Sequence, residues 1–238
     1  MAHLKRLGIP GSWPMPRKGS KFAVRPSPGP HAIMQCMPLR VILRDLLGYA
    51  DNAKESMSIL SQGKVLVDKK ARKSSRFPVG LMDVIEIPDA RVYFRVVAGR
   101  SGLILEKTDE SGASCKTCRI TGKTTLKKGV QQLNLHDGRN ILVKKDTYKV
   151  GDSISISLPD QKILSHALFA KGSDCFVTGG RNIGIRGTIK EINNKKHMLE
   201  KSTVTIDVNS GSAKKEIKTL KKHIFISGKP GTPGREDK

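Results

Sequence analysis

The chain has 238 residues, and 44 lysines and arginines against 21 aspartates and glutamates leave it with a formal charge of +23. A surplus of that size selects a polyanionic partner. Nucleic acid leads and a membrane surface follows, because neutralising phosphates releases counterions. There is no apolar run of about 18 residues to span a bilayer, four cysteines make no disulfide framework, and aromatics at 4% exclude a broad base-stacking platform.

The first 44 residues hold no carboxylate, yet carry Lys5, Arg6, Arg17, Lys18, Lys21, Arg25, Arg40 and Arg44, and seven of the twelve prolines fall before Leu39. Such a segment has few apolar residues to offset the entropy of ordering. Residues 1–37 are therefore expected to be an extended basic arm that orders along a polyanion, with Trp13 as an anchor and the prolines lowering the ordering cost. Gly8, Pro10 and Gly11 interrupt the start before a signal-type apolar stretch forms. With the cysteine usage, this places the protein in the cytoplasm.

From 38 to 97 the pattern predicts helix, helix, hairpin. Leu39, Ile42, Leu43, Leu46 and Leu47 mark one helical face, Arg40 and Arg44 lie together off it, and Gly48 ends it. A second helix starts near Asn52, with Glu55 placed for a capping box, buries Ala53, Met57 and Leu60, and stops at Gly63. KVLVD, DVIEI and RVYFRVV read as strands. Lys64, Lys69, Lys70, Arg72, Lys73 and Arg76 cluster around the hairpin, suggesting one basic surface on a small α+β module. Lys69 would be strained at positive φ in a two-residue turn, so a longer or different turn is expected at Asp68-Lys69.

Residues 98–170 read as mainly β, with LILEK, QLNL, NILVK and SISISL separated by turn residues, and Arg139, Lys144 and Lys145 presented near a hairpin. From 171 to 228, four glycines (Gly179, Gly180, Gly184, Gly187) lie within nine residues between strand-like runs, flanked by Arg181 and Arg186. This suggests a small barrel with a glycine-rich loop. The tail 229–238 reads as flexible.

Enzymatic motifs fail on spacing. Gly122-Lys123-Thr124 lacks the glycine five positions earlier that a phosphate-binding loop needs, since Thr117 stands there. Cys115 and Cys118 have metal-pair spacing but no second pair, so no metal is expected. Asp137 and Asp160 are turn formers, and no nucleophile elbow is present. Neither cofactor nor small-molecule substrate is expected.

PLRVILRDLLGYADNAKESMSILSQGKVLVD with FPVGLMDVIEI resembles the small RNA-binding domain named after bacterial ribosomal protein S-four, and DCFVTGGRNIGIRGTIKEI resembles a KOW motif. HLKRL, RKGSKFAVRPSPGPH, KKGVQQLNLHDGRN and TGGRNIG extend the likeness, and the whole chain is similar to the archaeal and eukaryotic small-subunit ribosomal S-four-e family, with size favouring the archaeal branch. The resemblance implies an α+β and mainly β multi-module chain: extended arm, small α+β RNA-binding module, central β module and KOW-type small β-barrel. It implies a structural constituent of the small ribosomal subunit, with ribosomal RNA and neighbouring ribosomal proteins as partners. The RNA-binding set is then Lys5, Arg6, Arg17, Lys18, Lys21, Arg25, Arg40, Arg44, Lys64, Lys69, Lys70, Arg72, Lys73, Arg76, Gly179, Gly180, Arg181 and Arg186. The alternative is an RNA-binding factor or RNA-modifying enzyme that borrows the same module.

Overall fold

A computed structural model describes residues 3–144, 147–195, 197, 200–210 and 213–227; Lys145 and the tail 229–238 lie outside the described residues. The chain divides into two compact units, one of Met1–Val97, Ser101–Lys116 and Leu158–Asp160, the other of Ala98–Arg100, Thr117–Ser157 and Gln161–Lys238.

The first unit begins with β1 (Leu4–Lys5) paired antiparallel to β2 (Phe22–Ala23), so the basic N-terminal segment is folded, not extended. Ile9, Trp13 and Met15 are buried in the same core as Met37, Leu39, Ile42, Leu43, Leu60, Val79, Ile85 and Phe94. The Trp13 indole N–H donates to the Cys36 carbonyl at 2.6 Å. Three large side chains supply enough apolar burial to order a segment that composition alone reads as open, at roughly 1.5–3 kcal/mol for each side chain fully buried. Arg6 closes the loop by donating to the Pro16 carbonyl and to Ser20 Oγ, each at 2.6 Å. The Leu103 amide donates to the Ser12 carbonyl at 2.9 Å. Gly102 permits that approach: its φ is +122°, and a Cβ there would lie 2.3 Å from the Ser12 oxygen.

β3 (Cys36–Pro38) pairs with β6 (Pro78–Gly80), and β3 leads into α1 (Leu39–Val41), which continues as a π turn over Ile42–Leu46. The wider turn spreads the side chains off the regular helical spacing, and Arg40 and Arg44, expected on the solvent side, are half-buried. α2 (Ala53–Ser61) starts where the capping box predicts: the Glu55 carboxylate accepts from the Asp51 and Asn52 amides at 2.9 and 3.3 Å. Its buried residues are Ser56 and Leu60, whereas Met57, expected inside, is exposed.

β4 (Leu66–Val67), β5 (Lys70–Ala71), β7 (Val84–Ile87), β8 (Val92–Gly99) and β9 (Gly102–Thr108) form an antiparallel sheet of order β5-β4-β7-β8-β9. The sheet runs past the boundary expected at 97/98, because β9 completes it. Pairing of Val67 with Lys70 leaves only Asp68 and Lys69 in the turn, at φ +51° and +62°. The tight turn that Lys69 was expected to forbid is present. Tertiary contacts offset its strain: Asp68 accepts from the Val84 amide at 3.0 Å and from Lys116 Nζ at 2.8 Å, and Lys69 Nζ reaches Glu86 at 3.0 Å. α3 (Glu110–Ala113) follows β9, and Ala113 packs with Val84 and Leu158.

In the second unit β10 (Cys115–Thr125), whose first two residues belong to the first unit, β11 (Gln131–Leu135), β12 (Asn140–Val143), β13 (Ser153–Ser157) and β14 (Ile163–Ala167) form a sheet of order β12-β11-β10-β13-β14. Its core of Cys118, Ile120, Leu133, Leu135, Ile154 and Ile156 follows the period-two alternation of these strands. β15 (Asp174–Val177), β16 (Arg186–Asn193), β17 (Thr203–Ser210), β18 (Ala213–Leu220) and β19 (Ile224–Ile226) make a second antiparallel sheet of order β18-β17-β16-β15-β19. Barrel closure through its edge strands β18 and β19 is not found among the described pairings. The division expected at 170/171 is bridged: Arg119 donates to the Lys222 carbonyl at 2.6 Å, and His136 meets Phe225 edge-on with ring centroids 5.5 Å apart.

Candidate nucleic-acid interface

The basic residues sort by the partners they have within the fold. Lys64 pairs with Asp89 at 3.3 Å, Lys69 with Glu86 and Arg44 with Asp45 at 2.9 Å. The Arg72 guanidinium lies over the Phe77 ring at 4.4 Å. Lys5, Arg17, Lys18, Lys21, Lys70 and Lys73 are exposed on the first unit, and Arg186 is exposed on the second.

Five arginines do converge. Arg6, Arg25, Arg40, Arg44 and Arg76 line one cavity of about 250 Å³ in the first unit, together with Phe22 and without a lining carboxylate among the described residues. The β1–β2 pair supplies one wall, α1 with its π turn the second, and the segment before β6 the third. Ser27 ties the walls by donating its amide to the Arg76 carbonyl at 2.8 Å. Burial, then the neighbouring charges of Arg44 and Arg76, lowers the Arg40 pKa. Arg40 Nε is buried with no hydrogen-bond partner among the described residues, although its Nη2 reaches Ser75 Oγ at 3.5 Å. Close guanidinium groups repel one another, so the cluster favours an anion between them.

In the second unit Arg181 lines a cavity of about 390 Å³ with Arg100, Lys215 and Lys218. The expected glycine loop borders it: Gly180 has φ +86°, and a Cβ on Gly179 would lie 2.6 Å from the His223 ring. Arg100, Lys215 and Lys218 were missed because they lie far from the glycine cluster in sequence; the pairing of β17 with β18 brings the lysines of β18 alongside. Phe22 was missed as well, since one aromatic in a basic segment carries no periodic signal.

A cluster that sequence spacing did not suggest is Cys118, His136 and Asp137, whose ligand atoms lie within 4.8 Å of one another. These groups are engaged with protein: His136 Nδ1 accepts from the Arg119 amide at 3.2 Å, Cys118 Sγ donates to Asp137 at 3.5 Å, and Arg139 pairs with Asp137 at 3.3 Å. A guanidinium on the carboxylate competes with a cation, so the cluster reads as a braced hairpin turn. Cys115 and Cys118, three apart on a strand, face opposite sides.

The ribosomal family S4e model matches residues 90–163, and the RS4NT (NUC023) domain model matches residues 2–34. The small ribosomal subunit protein eS4 of Methanococcus maripaludis is 44% identical over 235 residues, covering 95% of this chain and 93% of the relative. The chain belongs to the ribosomal protein family S4e. The eS4 of Methanothermobacter thermautotrophicus is 46% identical over 228 residues, covering 95% of this chain and 92% of its own. The crystal structure of the 30S ribosomal protein S4e from Thermoplasma acidophilum superimposes with a TM-score of 0.69 at 32% identity, covering 82% of this chain and 95% of that one. The RS4NT match falls on the folded N-terminal segment, the segment that supplies Arg6, Phe22 and Arg25 to the arginine cavity.

Proposed function

We propose that this protein is a structural constituent of the small ribosomal subunit that binds ribosomal RNA, resides on the ribosome in the cytoplasm and has ribosomal proteins as neighbours. The observation that carries the reading is the arginine cavity, where five guanidinium groups face one concavity without a lining carboxylate. It agrees with the subunit named for the relatives. The exposed lysines and arginines around it, with Arg181 and Arg186 on the second unit, supply further phosphate contacts. The small α+β module acts as an S-four-type RNA-binding domain, and the glycine-rich loop with its sheet acts as a KOW-type element. No catalytic role is assigned.

Sedimentation of cell extract in high salt tests this reading. Stoichiometric co-migration with the small subunit is expected. Release to the top of the gradient would favour an exchanging factor or a modifying enzyme. With about ten phosphates neutralised, log K should fall against log salt with a slope of about −7 to −9, and a slope shallower than about −3 would overturn the phosphate count.

A further inference from the structure

The geometry points to a single-nucleotide subsite in the first unit: the cavity of Arg6, Arg25, Arg40, Arg44 and Arg76 takes the phosphate of a bulged or sharply bent RNA strand, and Phe22 takes its unstacked base. This deepens the ribosomal RNA reading and rests on it.

Size comes first. A space of about 250 Å³ is too small to embrace a duplex, so it fits a group that protrudes from one. Chemistry comes next. All five cations are arginines, whose planar forks match phosphate oxygens two at a time, whereas a lysine offers a point charge. Arg6 is held in place by its bonds to Pro16 and Ser20. Arg40 is half-buried, with its Nε lacking a partner among the described residues and its charge opposed by Arg44 and Arg76. Of the five, Arg44 has a carboxylate partner, Asp45, and that pair is itself partly exposed. An anion entering here relieves a repulsion that already exists in the fold.

Phe22 separates RNA from other anions. It lines the same cavity yet remains 49% exposed, with His3 tilted against it at 5.6 Å and Lys21 near the ring at 5.6 Å. An acidic peptide gains little from an exposed ring beside a guanidinium cluster. An unstacked base gains a stacking partner, and this is how single-stranded and bulged RNA is recognised.

The test uses the full chain and a short RNA hairpin carrying one bulged 2-aminopurine, against the same hairpin fully paired. The bulged probe should bind about tenfold tighter or more, with a change in 2-aminopurine fluorescence. Phe22→Leu should abolish that fluorescence change. Arg76→Lys and Arg40→Lys, which keep the charge and lose the fork, should bring the two affinities within about twofold. Arg76 and Phe22 are exposed, so their variants test the subsite even where Arg40→Lys perturbs folding; unchanged thermal melting confirms the fold. Equal affinity of the wild-type chain for both hairpins would overturn the subsite and leave the ribosomal RNA reading standing. Displacement of the bulged probe by polyglutamate at matched charge would overturn it too. Failure to bind either hairpin and small-subunit ribosomal RNA would overturn the underlying reading, and the subsite with it.

Discussion

Lys116 and Asp68, 48 residues apart in sequence, meet at 2.8 Å with Nζ against Oδ2, and both are buried. The same ammonium reaches Asp83 Oδ1 at 2.5 Å, and Asp83 also takes a hydrogen bond from His31 at 3.0 Å and from the Gly80 amide at 2.9 Å. One cation thus ties the β4–β5 turn to the start of β7 and closes a polar centre inside the first unit.

Lys116→Met should destabilise the first unit by about 3–5 kcal/mol, because it removes from two buried carboxylates the buried cation that both of them contact. Urea unfolding of the full chain measures this. A loss below about 1 kcal/mol would mean that the lysine contributes little.

The same centre sets an acid limb. Burial alone would raise the Asp83 pKa, but the Lys116 charge and His31 outweigh it and hold the carboxyl well below its usual range. Its stabilisation is fully present above the unfolded value of about 3.9 and is lost as pH falls below that, towards the folded value. Asp83→Asn should therefore flatten the melting temperature below about pH 4 while lowering it at neutral pH. An acid limb unchanged in the variant would place the titration elsewhere.

The turn at Asp68-Lys69 offers a double-mutant test. Lys69→Gly removes roughly 1 kcal/mol of left-handed strain but takes the partner from Glu86, which is 3% exposed. Net destabilisation of about 1–2 kcal/mol is expected. Adding Glu86→Gln should restore most of it, and additivity of the two changes would show that the residues are not coupled.

Trp13→Ala should cost about 3–5 kcal/mol, and deletion of residues 1–30 should lower the melting temperature of the first unit. A truncated chain that melts like the intact one would return the segment to the role of a loose arm.

Thiol labelling discriminates the cysteines. Burial, then a nearby aspartate, pushes the Cys36 and Cys175 thiols up to about 12. At pH 8 in native buffer, Cys115, half-buried, should react first and those two only on unfolding. Early labelling of Cys36 would contradict its burial.

Local signals were legible wherever one element decides its own form. The charge surplus pointed to a polyanionic partner, the Asn52–Glu55 pair marked the start of α2, and strand-forming runs located β8 and β13, because caps and strand propensity act over a few residues. Tertiary structure decided the rest. Trp13 turned a composition typical of an open arm into a packed wall, and Lys116 and Glu86 made a positive-φ turn tolerable for Lys69. Chain folding drew Arg6, Arg25, Arg40, Arg44 and Arg76 from three separate segments onto one cavity. Sequence counts charges and spaces them along the chain; which of them share an anion depends on distances across the core, which no local pattern carries.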